Sequence, residues 1–128
     1  MPRKHKHYIL TASAERDFRE ARRWSLSRWG KELTEQYFSD LHESAQGIAQ
    51  NHLPIHQGSK ASELGIYPVR EHYLVYVPIS KNSIVIVALI RQTRDVPEIL
   101  KTNGFKIRRQ LKEIFEKLER GEIANLLK

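Results

Sequence analysis

Arg70, His72, Tyr73 and Tyr76 crowd one short segment of the chain, and Arg91 and Arg94 follow at the end of a later apolar run. Guanidinium groups grip phosphate in a forked geometry, and phenols and imidazoles carry protons. Such a cluster reads in two ways. It is an anion site, for phosphate recognition or for stabilising charge during RNA cleavage. Or it is a set of strand-end ion pairs in which Arg94 and Asp95, or Arg91 and a nearby carboxylate, tie down the chain.

Other chemistries find little support. Gly58-Ser59-Lys60 lacks the upstream glycine and the strand-to-helix context of a phosphate loop. His52 and His56 are four apart, but Pro54 between them prevents the helical geometry that would turn both toward one metal. No metal and no cofactor are expected. No serine stands in a nucleophile elbow, and no carboxylate pair marks an acid–base couple. The chain has no cysteine, which excludes disulfides and thiolate chemistry.

The elements that must position the cluster follow from periodicity. Tyr8-Ile9-Leu10 reads as a short opening strand, after which Thr11 or Ser13 caps a helix running to about Trp29. Its positions Ala14, Phe18, Ala21, Ser25 and Trp29 fall at steps of three or four, with Trp24 extending the stripe. Gly30 supplies a turn, and a second helix from about Lys31 to Asn51 carries Leu33, Tyr37, Leu41, Ala45 and Ile48 at the same kind of spacing. Together they make a helical hairpin. Leu53 to Leu64 has neither period and reads as a surface loop.

Ile66 to Arg70, Tyr73 to Ile79 and Ser83 to Arg91 are rich in Val, Ile and Tyr and read as three strands. Ser80-Lys81-Asn82-Ser83 reads as a tight antiparallel connection. Ile84 through Ile90 is apolar at every position, so that strand must be covered on both faces or leave a sticky surface for a partner. Val96 to Leu100 reads as a short turn or single helical turn, and Asn103-Gly104 as a break. Ile107, Leu111, Ile114 and Leu118 then mark an amphipathic helix, with Ile123, Leu126 and Leu127 as a last apolar turn.

A chain of 128 residues suits one core. Its 22 Lys and Arg against 15 Asp and Glu give a formal charge of +7, which suits an acidic partner, nucleic acid or protein. The basic stretch Met1 to His7 is followed by only three apolar residues, so a secretory segment is not expected. No apolar run reaches membrane-spanning length, and the expected location is the cytoplasm.

The order strand, helix, helix, three strands, closed by Arg91-Gln92-Thr93-Arg94-Asp95-Val96-Pro97 and then Ile99-Leu100, resembles the ParE/RelE toxin superfamily, and within it the ParE-like branch. The resemblance covers about residues 7 to 100. It includes Ala14 with Asp17-Phe18, Trp29-Gly30 between the helices, Tyr37 and Leu41, and Tyr67-Pro68-Val69 opening the sheet. It implies an α+β fold of βααβββ order, the helical hairpin packed on a small antiparallel sheet. Residues 1–102 form that toxin domain and 103–128 a C-terminal helical extension. The tail can dock on the chain's own sheet, pair with a second copy or bind a partner.

What the resemblance implies about function is a toxin of a type II toxin–antitoxin system, of the plasmid-stabilisation kind. A ParD-like antitoxin neutralises it, and DNA gyrase is the target. A homodimer or an antitoxin-bridged hetero-oligomer is the implied assembly. The alternative is a RelE-like, ribosome-dependent mRNA endoribonuclease, in which Arg70, Tyr76, Arg91 and Arg94 are the catalytic candidates. RNA cleavage needs several ionisable side chains converging on one face. Val75 to Ile79 and Ile84 to Ile90 contribute one phenol, Tyr76, and Tyr73 lies three positions away, facing oppositely on a regular strand. A non-catalytic gyrase inhibitor is therefore expected, with Arg70, Tyr73, Tyr76, Arg91, Arg94 and Asp95 as target- or antitoxin-binding residues. A third possibility is a basic nucleic-acid-binding module using Arg16, Arg19, Arg22 and Arg23, although Glu15, Asp17 and Glu20 interrupt that field.

Overall fold

A computed structural model describes residues 8–51, 64–80 and 83–120. The loop expected over Leu53 to Leu64 (its last residue apart), His52, His56, Gly58-Ser59-Lys60, Lys81-Asn82 and the last apolar turn lie outside the described residues. Strand β1 (Tyr8–Leu10) leads into helices α1 (Ala12–Trp29) and α2 (Lys31–Asn51). Strands β2 (Gly65–Val69), β3 (His72–Ser80) and β4 (Ser83–Arg91) follow, then helices α3 (Val96–Thr102) and α4 (Gly104–Glu119).

Local chemistry sets the boundaries. Thr11 caps α1, its Oγ1 accepting from Ala14 N–H at 3.1 Å and satisfying a first-turn amide. Gly30 adopts φ 86°, a conformation costly for other residues. Its N–H donates to Leu26 O at 3.1 Å, and its own carbonyl accepts from Thr34 N–H at 3.2 Å. One residue thus ends α1 and starts α2.

The sheet order is β1-β4-β3-β2. The three later strands form the expected antiparallel meander, but β1 lies parallel on β4, so the sheet as a whole is mixed. The helical hairpin carries the chain from β1 at one edge to β2 at the other, and β2 and β3 complete the long connection that the parallel pairing of β1 with β4 requires. Between β3 and β4 the register passes from Val75↔Ala88 to Tyr76↔Ile86, leaving Val87 as an extra residue in β4. This bulge puts Val87 and Ala88 on the same face.

Two apolar layers result. On one face Tyr37, Leu41, Ala45 and Ile48 of α2, with Ala14 and Ala21 of α1, pack on Leu74, Tyr76, Ile84, Ile86 and Leu89. On the other, Ile107, Leu111 and Ile114 of α4 and Val96, Ile99 and Leu100 around α3 pack on Val75, Val77, Val85, Val87 and Ile90. Every residue of β4 from Ser83 to Ile90 is buried. The amphipathic tail docks on its own sheet, and the doubly apolar strand offers no open face.

Gly65 stands opposite Tyr76 in the ladder, and a Cβ added there would fall 2.7 Å from that ring's Cε1 and Oη. A close-packed core has no slack for it. Gly65→Ala is expected to lower stability by about 1–3 kcal/mol in urea unfolding. Gly47→Ala, whose new methyl would meet nothing within 4 Å, is expected to match or exceed the parent. Equal midpoints for the two variants would show that the Tyr76 ring moves aside freely.

Candidate functional site

The site is built where β2 turns into β3. Val69 pairs with His72, which leaves Arg70-Glu71 as a two-residue turn. Arg70 has φ 54°, positive at the first turn position and not at the second, the pattern of a type II′ hairpin turn that favours glycine. Helix α2 holds the arginine there. The guanidinium pairs with Asp40 and lies 5.9 Å from the centre of the Tyr37 ring. Glu71 N–H donates to Tyr37 Oη at 3.2 Å, so the turn is gripped by backbone as well as side chain.

Tyr37 also hydrogen-bonds His72 Nδ1, and both side chains are buried, 1% and 2% exposed. Burial, reinforced by the nearby Arg91 charge, pushes the imidazole down to about 4. Burial pushes the Tyr37 phenol up to about 12. At neutral pH both groups are uncharged. The hydroxyl accepts from Glu71 N–H, and His72 Nδ1 and, at 3.5 Å, the Val69 carbonyl are its other partners.

Trp24 of α1 closes the cluster. Its ring lies 6.0 Å from that of His72, the planes 84° apart, and the Arg91 guanidinium sits 4.5 Å from the indole centre. Arg28 approaches the same ring at 5.0 Å. An indole between guanidinium groups holds them by cation–π attraction, about 0.5–2 kcal/mol each depending on solvation. Arg91 faces His72 across the strands, so the Arg70 turn and the Arg91 side chain share one end of the sheet.

The residues singled out in the sequence divide. Arg70 and Arg91 come together at this sheet end, and exposed Arg94 follows on the turn that leaves β4, its N–H donating to Arg91 O at 3.0 Å. Asp95 caps α3, its Oδ1 accepting from Glu98 N–H at 3.1 Å. The expected tie between Arg94 and Asp95 gives way to that cap. Tyr73 is half-buried beside Ile90, away from the cluster. Tyr76, expected at a binding surface, is 1% exposed and belongs to the core over Gly65. Regular alternation along β3 puts it with Leu74 on the face under the helical hairpin, so it is a packing residue. Tyr37 and Trp24 were legible only as members of apolar helix stripes. Their polar roles depend on partners far away in the chain.

Residues 8–96 match the family model described as ParE toxin of type II toxin-antitoxin system, parDE. No curated protein matches the chain. A solved chain of the chromosomal ParDE TA system from P. aeruginosa superposes with a TM-score of 0.54 at 14% identity. It covers 66% of this chain and 92% of that one, a likeness of fold.

The Tyr37–His72 pair generates a pH prediction. His72 titrates near 6.5 in the unfolded chain and near 4 in the fold, so below pH 6.5 the unfolded state binds the extra proton first. Its contribution to stability is complete above about pH 6.5 and is lost as pH falls toward about 4. Melting temperature is expected to drop over that window in the parent and to drop less in His72→Asn. Equal slopes would assign the titration elsewhere. Tyr37→Phe at pH 7 strips partners from Glu71 N–H and His72 Nδ1 and is expected to cost about 1–3 kcal/mol in chemical denaturation.

Proposed function

The chain belongs to the ParE toxin family of type II toxin–antitoxin systems, and from that premise we propose that it inhibits DNA gyrase by binding, without a reaction of its own, and is neutralised by a ParD-like antitoxin. One observation carries the choice of target. The side chains that RNA cleavage would use for proton transfer, His72 and Tyr76, are 2% and 1% exposed. A general base must reach the proton it takes, and these reach only the protein interior. What the sheet end offers to a partner is guanidinium, which stays protonated and recognises rather than relays.

The formal charge of +7 favours encounter with an acidic surface, and Arg94 stands exposed to take part in it. Among the described residues no helix is long and apolar enough to cross a membrane. The proposed place of action is the cytoplasm, where gyrase and antitoxin are met.

Induced expression is expected to arrest growth, and co-expression of the neighbouring reading frame to restore it. Purified protein is expected to block supercoiling by gyrase, and the double variant Arg91→Ala, Arg94→Ala to need at least about tenfold more protein for the same effect, a loss of about 1.4 kcal/mol. Unaffected supercoiling alongside cleaved ribosomal mRNA would overturn the proposal in favour of the RelE-like activity.

A further inference from the structure

β1 is three residues long and pairs with β4 only from Ile84 to Ile86. The chain then leaves the sheet, with Thr11 N–H donating to Ile86 O at 3.1 Å as the last rung. β4 runs on to Arg91. Which way its backbone points there follows from the ladder with β3. Gln92 N–H donates to Glu71 O at 2.9 Å, so the Gln92 amide points toward the β3 side. Alternation then makes His72/Arg91 and Leu74/Leu89 non-hydrogen-bonded pairs. The amides and carbonyls of Leu89 and Arg91 therefore point away from β3, toward the edge that β1 has vacated.

Side chains and a turn stand in for the missing strand. Leu89 N–H donates to Asp17 Oδ2 at 3.1 Å, and Arg91 O accepts from Arg94 N–H. Burial pushes the Asp17 carboxyl up, so its stay on this edge has a desolvation cost, offset in part by the Leu89 bond and by the nearby charges of Arg16 and Lys106. Helix α1 on one side and α3 with the start of α4 on the other leave a cleft of about 570 Å³ over Val87 to Arg91. Ala21, Trp24, Ile99 and Ile107 give it apolar walls. On its rim Arg16, Arg94 and Lys106 make no ion pair among the described residues. Glu20 and Glu98 share the rim, and the Glu98 carboxylate accepts from the Thr102 hydroxyl.

We propose that this cleft is a strand-addition site: it takes an extended segment of the antitoxin, collinear with β1, which pairs with Leu89 and Arg91 and sets acidic side chains against Arg16, Arg94 and Lys106. The assignment rests on the toxin–antitoxin reading above. Backbone groups repeating every second residue, about 7 Å apart, match a peptide strand and no small molecule. A continuous phosphate chain would meet Asp17, Glu20 and Glu98 in the same cleft, whereas a peptide can place its acids only where the cations stand. The partner's carbonyl takes the Leu89 amide, and Asp17 is released to water.

The test uses full-length, nitrogen-15-labelled protein and the full-length product of the neighbouring reading frame. Binding is expected to slow amide exchange at Leu89 at least tenfold. Arg16→Glu with Lys106→Glu is expected to weaken affinity at least tenfold with unchanged circular dichroism, while Arg109→Glu, on the exposed side of α4, changes it less than twofold. Tight binding that leaves Leu89 exchange unaltered and tolerates the reversed rim would overturn the cleft assignment and leave the toxin–antitoxin reading intact. Absence of both binding and growth rescue would overturn the two together. Concentration-dependent protection of Leu89 in the unmixed protein would assign the edge to a second copy instead, and overturn the assignment to the antitoxin.

Discussion

β4 carries eight consecutive buried residues, Ser83 to Ile90, and a strand apolar on both faces is stable only inside a sheet covered on both faces. Each fully buried Val or Ile side chain contributes about 1.5–3 kcal/mol relative to exposure, so leaving either face bare would forfeit several such terms. The rest of the molecule is arranged to prevent that. The α1–α2 hairpin covers one face, α4 lays Ile107, Leu111 and Ile114 on the other, β3 pairs along one edge and β1 along part of the second. α4 is thus a structural wall of the domain, which is why an amphipathic tail beyond the family match at residues 8–96 belongs with the sheet.

The bulge at Val87 decides what this buried strand presents at its end. Ile84 and Ile86 face the helical hairpin, and strict alternation would continue with Ala88 and Ile90. The extra residue shifts the phase, so Leu89 faces the hairpin and the Arg91 guanidinium arrives over Trp24 instead of beside α4. One inserted residue therefore joins the cationic strand end to the aromatic cluster of α1 and α2. It also fixes which amides look out from the half-covered edge.

The helices were legible because their signal is periodic: Ala14, Ala21 and Ser25, then Tyr37, Leu41, Ala45 and Ile48, are all buried, whereas Leu33, at the same spacing in the first turn of α2, is 58% exposed. The strands were legible by composition, but their faces were not. A run apolar at every position carries no alternation, so neither the bulge nor the side on which Arg91 emerges can be read from it. Tyr76 looked like a surface phenol for the same reason. The Tyr37–His72 bond joins residues 35 apart in the chain, and the parallel seating of β1 on β4 is longer in range still, so both lie beyond local pattern. Val96 to Leu100, expected as a short turn or single helical turn, is the start of the seven-residue helix α3, with Asp95 as its cap and Pro97 in its first turn.

The cations at the sheet end are not equivalent, and the difference follows from what surrounds each. Arg70 is neutralised by Asp40 and spends its guanidinium holding a positive-φ turn. Arg91 is stacked on Trp24, and a charged His72 opposite it would add a second cation to a buried cluster, so the imidazole is kept neutral by desolvation and by Arg91 together. Arg94 has neither constraint. Two guanidinium groups held by the domain's own side chains thus stand beside a third, on a turn, that no ion pair among the described residues holds.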